Sequence, residues 1–144
     1  MNYYGAKELA ASFRTVRKNT VIIAEEIDEQ HYGFRATPET RTVAQTLSHI
    51  ALTPRLPLQI HAVERRTTLE GFDFMGFFGK LIEDEKAPLS KQQLIATLTE
   101  EGERFAKWLE SVPDDFLGER VAAPAAMKLP DRTRFEMILG VKEH

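Results

Sequence analysis

Apolar positions recur along the chain at steps of three and four. Leu9, Phe13, Val16, Thr20, Ile23 and Ile27 keep that rhythm, which places them on one face of an α-helix and predicts a first helix over roughly 5–29. The stretch "HYGFRATPET" then carries Gly33 and Pro38 and reads as a loop. Val43, Leu47 and Ile50, flanked by Ala44 and Ala51, form the stripe of a second helix. Pro54 and Pro57 fall where that helix should continue. Each lacks the N–H that would bond back four residues, which leaves the carbonyls of Ile50 and Thr53 free. Leu56, Leu58, Ile60 and Val63 keep the pattern going, so the expectation is a kink rather than a stop.

Residues 67–89 break the rhythm. Four phenylalanines and three glycines fall within nine positions, Gly71 to Gly79, before an acidic run and Pro88, and the segment reads as a long connection. Ser90 and Gln93 then stand at capping-box spacing ahead of Leu94, Leu98, Phe105, Leu109 and Val112, a third helix that Pro113 stops. After an irregular, proline-rich stretch, Thr133 and Glu136 repeat the box ahead of Phe135, Ile138, Leu139 and Val141. This fourth helix reaches "GVKEH" after about a dozen residues, half the length of its expected partners. The expectation is a last helix that continues past His144. No alternating run of strand length is present beyond a weak "TVII". The fold class is therefore all-α, a four-helix bundle in one domain over 1–144. A crossover of about twenty residues between helices 2 and 3 lets them run parallel, in up-down-down-up order.

Composition narrows the function classes. A chain of 144 residues buries about 70% of its unfolded surface, and 42% apolar with 28% charged residues is ordinary for a globular domain. There is no apolar run of membrane-spanning length, and the N-terminus lacks the pattern of a secretory signal, so the cytoplasm is the expected compartment. The absence of cysteine removes thiolate nucleophiles and leaves His, Asp and Glu as strong metal ligands. A net charge of -3, with basic residues interleaved among acidic ones, gives nucleic acid no footprint.

The four histidines are the candidates for chemistry. At about 100° per residue, His49 shares its side of helix 2 with Thr42, Gln45, Thr46, Leu52, Thr53 and Leu56, while Val43, Ile50 and Ala51 turn to the core. It stands on a boundary, open both to a structural and to a ligand role. His144 follows Met137 and Val141 at steps of four and three and extends the apolar side of helix 4. Bundles build metal sites from side chains on facing helices, and these two histidines form a suggestive pair. His61 and Glu64 have chelating H-x-x-E spacing, but the adjoining Arg65 and Arg66 mark a solvated, charged helix end. His31 lies in a loop beside Tyr32. The phenylalanine-rich segment suits a crossover packed down on the core better than a substrate pocket or a dimer face.

The Pro-containing loop leading into "TVAQTLSHIA", with a histidine about ten residues on, the long crossover, and a last helix opening "RTRFEMILGVKEH" together resemble the DinB/YfiT-like superfamily over nearly the whole chain. The resemblance implies a four-helix bundle and a metal-dependent enzyme, with a divalent ion, zinc or nickel, held by three histidines. It assigns His49 as the helix 2 ligand and His144 as the first of an H-x-x-x-H pair, whose second member would stand four positions beyond His144. It also implies a homodimer acting on a small-molecule substrate, either as an S-transferase using a low-molecular-weight thiol of the bacillithiol or mycothiol type or as a hydrolase. The competing reading is a non-catalytic, dimeric helical bundle that binds a partner.

Overall fold

Arg17, charged and at the middle of the first helix, runs into the core of the bundle. Its guanidinium donates to the carbonyls of Leu98 at 2.7 Å and Ile50 at 2.9 Å, and so ties three helices together. Ile50 offers its carbonyl because Pro54, four residues on, has no N–H to give it. Gly102 makes the passage, since a Cβ there would stand 2.7 Å from Arg17 Cγ. Burial pulls the guanidinium down to about 10, which still leaves it a cation at neutral pH.

The computed structural model describes residues 4–144; residues 1–3, the start of the stretch read for a signal, lie outside it. Helix α1 is Ala6–Glu26, α2 Val43–Leu52, α3 the short Arg55–Pro57, α4 Phe74–Glu85, α5 Lys91–Ser111, α6 Asp114–Gly118 and α7 Arg134–Glu143. A π-helical turn, Leu58–Val63, follows α3 without a break, so the chain past Pro54 bends and goes on. The expected capping boxes at Ser90–Gln93 and Thr133–Glu136 both form, and a third, Thr42–Gln45, opens α2.

The core lies in two clusters. At one end Leu9, Phe13, Phe105, Leu109, Phe116 and Ile138 pack together, and at the other Ala24, Tyr32, Leu47, Ala51, Leu94 and Leu98. The start of α1 thus meets the end of α5, whereas the starts of α2 and α5 lie together, so α2 and α5 run parallel. The N-terminus of α7 lies beside the far end of the α2–α3 stretch and its C-terminus beside His49, which completes the up-down-down-up order.

Three expectations need correction. The crossover is not irregular, for Asp73 accepts the N–H of Gly76 at 2.9 Å and nucleates α4, a twelve-residue helix against α2. Its phenylalanines do not all cover the core: Phe72, Phe74 and Phe77 are half-buried against one another, but Met75 is 85% exposed and Phe78 42%. In α1 the buried side runs through Leu9, Ala10, Phe13, Arg17 and Ala24, and Val16 and Ile23 face outward. Small Ala24 lets the Tyr32 hydroxyl reach its carbonyl at 2.6 Å. The fold class is all-α as expected, and a two-residue antiparallel pair, β1 (Arg120–Val121) with β2 (Arg132–Thr133), leads the chain into α7.

Candidate functional site

Helix α2 ends its regular hydrogen bonding just past His49, whose carbonyl accepts from the Thr53 backbone N–H and hydroxyl. The His49 side chain, 27% exposed, leaves this helix toward α4 and the end of α7. Its Nδ1 lies 2.5 Å from Oε1 of Glu85, the last residue of α4. Glu85 is itself buried and accepts from Arg41 Nε at 2.8 Å through its other oxygen. Burial pushes the Glu85 carboxyl up, but the hydrogen bonds from Arg41 and His49 outweigh it and hold the group below the usual carboxylate range. Glu85 is thus an acceptor, so Nδ1 of His49 carries a proton and donates, and in the neutral form of the ring the Nε2 lone pair faces outward.

That nitrogen meets His144. The two Nε2 atoms stand 2.8 Å apart, with the rings edge-on at 63°. Without an ion, His144 Nε2–H can donate to the His49 lone pair. Two imidazoles on one divalent ion, each about 2.0–2.1 Å from it, hold their nitrogens about 2.9–3.3 Å apart, so the donor chemistry fits such a group and the spacing here lies just short of that range. The Glu85 carboxylate behind His49 is the partner that metal-bound histidines ordinarily have. Among the described residues no three His, Asp or Glu side chains converge as a complete metal cage.

A cavity of about 350 Å³ opens at the histidine pair between α4 and α7, with Leu56, Phe78, Leu81, Ile82, Met137 and Val141 in its wall. A wider and more polar recess of about 620 Å³ adjoins it and shares Arg41, His49, Ile82 and Glu85. One side of the centre is therefore hydrocarbon and the other charged.

The remaining histidines lie apart from it. His31 is exposed in a 3-10 turn, its ring 3.5 Å from Gln30. His61 overturns its expected setting: it is 1% exposed, not solvated. Within the π-helical turn the N–H of Glu64 bonds back five residues to Gln59, which adds a residue to the turn and swings His61 inward. Glu64 pairs with Gln59 and Arg66, so the H-x-x-E chelate is not formed. His61 Nδ1 accepts from buried Arg134 at 2.9 Å, its Nε2 has no hydrogen-bond partner among the described residues, and its ring lies parallel to Trp108. Burial and the Arg134 charge lower it to about 4, so it is neutral at physiological pH.

Sequence reasoning missed Glu85 and Arg134. Phe77, Leu81 and Glu85 stand at steps of four after a capping Asp73, a signal that would have found α4 and its terminal carboxylate. Nothing in the sequence marks Arg134 as buried.

A profile of the DinB superfamily matches residues 12–144. The chain belongs to the DinB superfamily. Among solved structures, this DinB chain is similar to a Streptococcus pneumoniae protein at 21% identity and a TM-score of 0.71, covering 99% of this chain and 83% of the other. An uncharacterised Clostridium difficile protein matches at 20% identity and a TM-score of 0.70, with 99% and 88% covered. A third, a sibling lethal factor precursor, DfsB, matches at 16% identity and a TM-score of 0.69, with 97% and 87% covered. At these identities the likeness shows a shared DinB-like fold. No curated protein matches the chain. None of the helices described is long and apolar enough to cross a membrane.

Proposed function

We propose that this DinB-family protein is a metal-dependent enzyme whose divalent ion, zinc or nickel, is bound by His49 and His144. One observation carries the reading: two imidazole Nε2 atoms converge at the mouth of an apolar cavity, and the opposite nitrogen of one is fixed by a buried carboxylate. A bound ion would supply Lewis acidity, enough to make a water or a thiol acidic near neutral pH. The protein's own part is to hold His49 in its Nδ1–H tautomer through Glu85, to hold Glu85 ionised through Arg41, and to exclude water along the Phe78–Leu81 wall. These features suit transfer to a low-molecular-weight thiol or hydrolysis of a small molecule, in a homodimer in the cytoplasm.

The test is metal uptake. Zinc or nickel titrated into metal-free protein is expected to bind at one ion per chain in wild type and to be lost in His49→Ala; stoichiometric binding retained by the variant would place any site elsewhere. The alternative, a non-catalytic bundle that pairs with a second copy, draws on exposed Met75, Phe78 and Ile82 along α4. A dimer that takes up no metal in wild type would favour it.

A further inference from the structure

We infer that the cavity between α4 and α7 takes an apolar carboxylate, its hydrocarbon part in the space left open at Gly140 and its carboxylate on the terminal amino groups of Arg41. This deepens the proposed function and rests on it for the role of the place, since it names what would be brought to the His49–His144 centre.

The cavity wall is hydrocarbon, and Phe78 and Ile82 leave 42% and 46% of their surface to solvent there. Covering such surface is favourable only for an apolar group. Gly140 forms part of the same wall, and a Cβ built on it meets no atom within 4 Å. Gly140 is exposed at this wall, and a side chain there would meet open space rather than protein.

Arg41 supplies the charged end. It spends only Nε on Glu85, and its two terminal amino groups have no partner among the described residues, although the side chain lines both the cavity and the polar recess. A guanidinium anchored through Nε keeps a forked pair of donors, and a carboxylate matches that fork with two parallel hydrogen bonds. Glu85 sits on the same guanidinium and repels a second anion, more strongly a dianion than a monoanion, which favours a carboxylate over a phosphate. Arg41 joins the two spaces, so one molecule can occupy both.

Octanoate and octanamide, equal in length and different in charge, provide the probes. They are titrated calorimetrically into metal-free protein, so that no carboxylate–metal contact contributes. Octanoate is expected to bind about tenfold more tightly than octanamide, the usual scale of a charge-assisted hydrogen-bond pair. Arg41→Gln keeps a donor for Glu85 and should remove that preference while leaving octanamide unchanged. Gly140→Leu should weaken both probes about tenfold or more by filling the space. Gly140→Ala, which adds a single methyl where nothing stands within 4 Å, should weaken both by a smaller factor with an unaltered circular dichroism spectrum. Equal binding of the two probes by wild type, no binding of either, or binding indifferent to both Gly140 variants would overturn the inference. Because the protein is metal-free throughout, these outcomes are separate from a failure of metal uptake.

Discussion

Helix α7 is met by a histidine at each end, and the two ends are built for opposite ends of chemistry. At its start, His61 is sealed beside Arg134, which also pairs with Glu119 at 2.9 Å and lies over the Phe116 ring at 4.4 Å. At its finish, His49 is part-exposed, backed by Glu85, and presents a nitrogen to His144 beside a cavity. Both histidines accept or donate one strong hydrogen bond through Nδ1. What separates them is the other nitrogen: His61 Nε2 is buried with no partner among the described residues, and His49 Nε2 faces an accessible space. A buried polar cluster anchors the helix, and a half-open one leaves a lone pair for binding.

The strongest way to break the contrast is at the sealed end. Arg134→Ala removes a fully buried side chain together with its ion pair and ring contact, and is expected to cost about 3 kcal/mol or more in urea unfolding. Next comes acid. A histidine held near 4 when folded and near 6.5 when unfolded contributes stability that is present above pH 6.5 and is lost as pH falls toward 4. The expected loss from this group is about 3 kcal/mol. Unfolding curves at pH 7 and pH 4 should show it in wild type and show a shallower fall in His61→Gln.

The open end should respond in binding more than in folding. Glu85→Gln removes the charge behind His49 and is expected to weaken zinc or nickel about 10–100-fold by competition titration. His49→Ala in metal-free protein should cost about 1 kcal/mol or less, because the imidazole is part-exposed and Glu85 keeps Arg41. A loss of several kcal/mol there would make His49 a core histidine like His61 and erase the distinction.

The two ends differed equally in how well they could be read from the sequence. Helical angle alone puts His49 on a boundary, because α2 is regular through that position and its period is intact. The same arithmetic fails twelve residues later, where two prolines and a π-helical turn shift the phase and carry His61 from an expected charged end into the interior. The long helices and their caps were legible because Ser90, Gln93, Thr133 and Glu136 act locally. Glu85 was not, since its role depends on Arg41 and His49, 44 and 36 residues away. The outward turn of Val16 and Ile23 was hidden for a related reason: Arg17 takes the interior place, and the carbonyls of Leu98 and of Ile50, the latter left by Pro54, make that place habitable for a cation.

That last arrangement constrains how the chain can vary. Pro54 leaves a carbonyl bare, Arg17 covers it, and Gly102 gives Arg17 its path. An alanine at 54 would restore an amide that competes for Ile50, and a side chain at 102 would block the guanidinium's stem. Each substitution should therefore be harmful by itself and milder once its companions have changed. The three positions, in α1, in α5 and in the turn between α2 and α3, form one unit of inheritance that a double-mutant cycle would register as strong coupling.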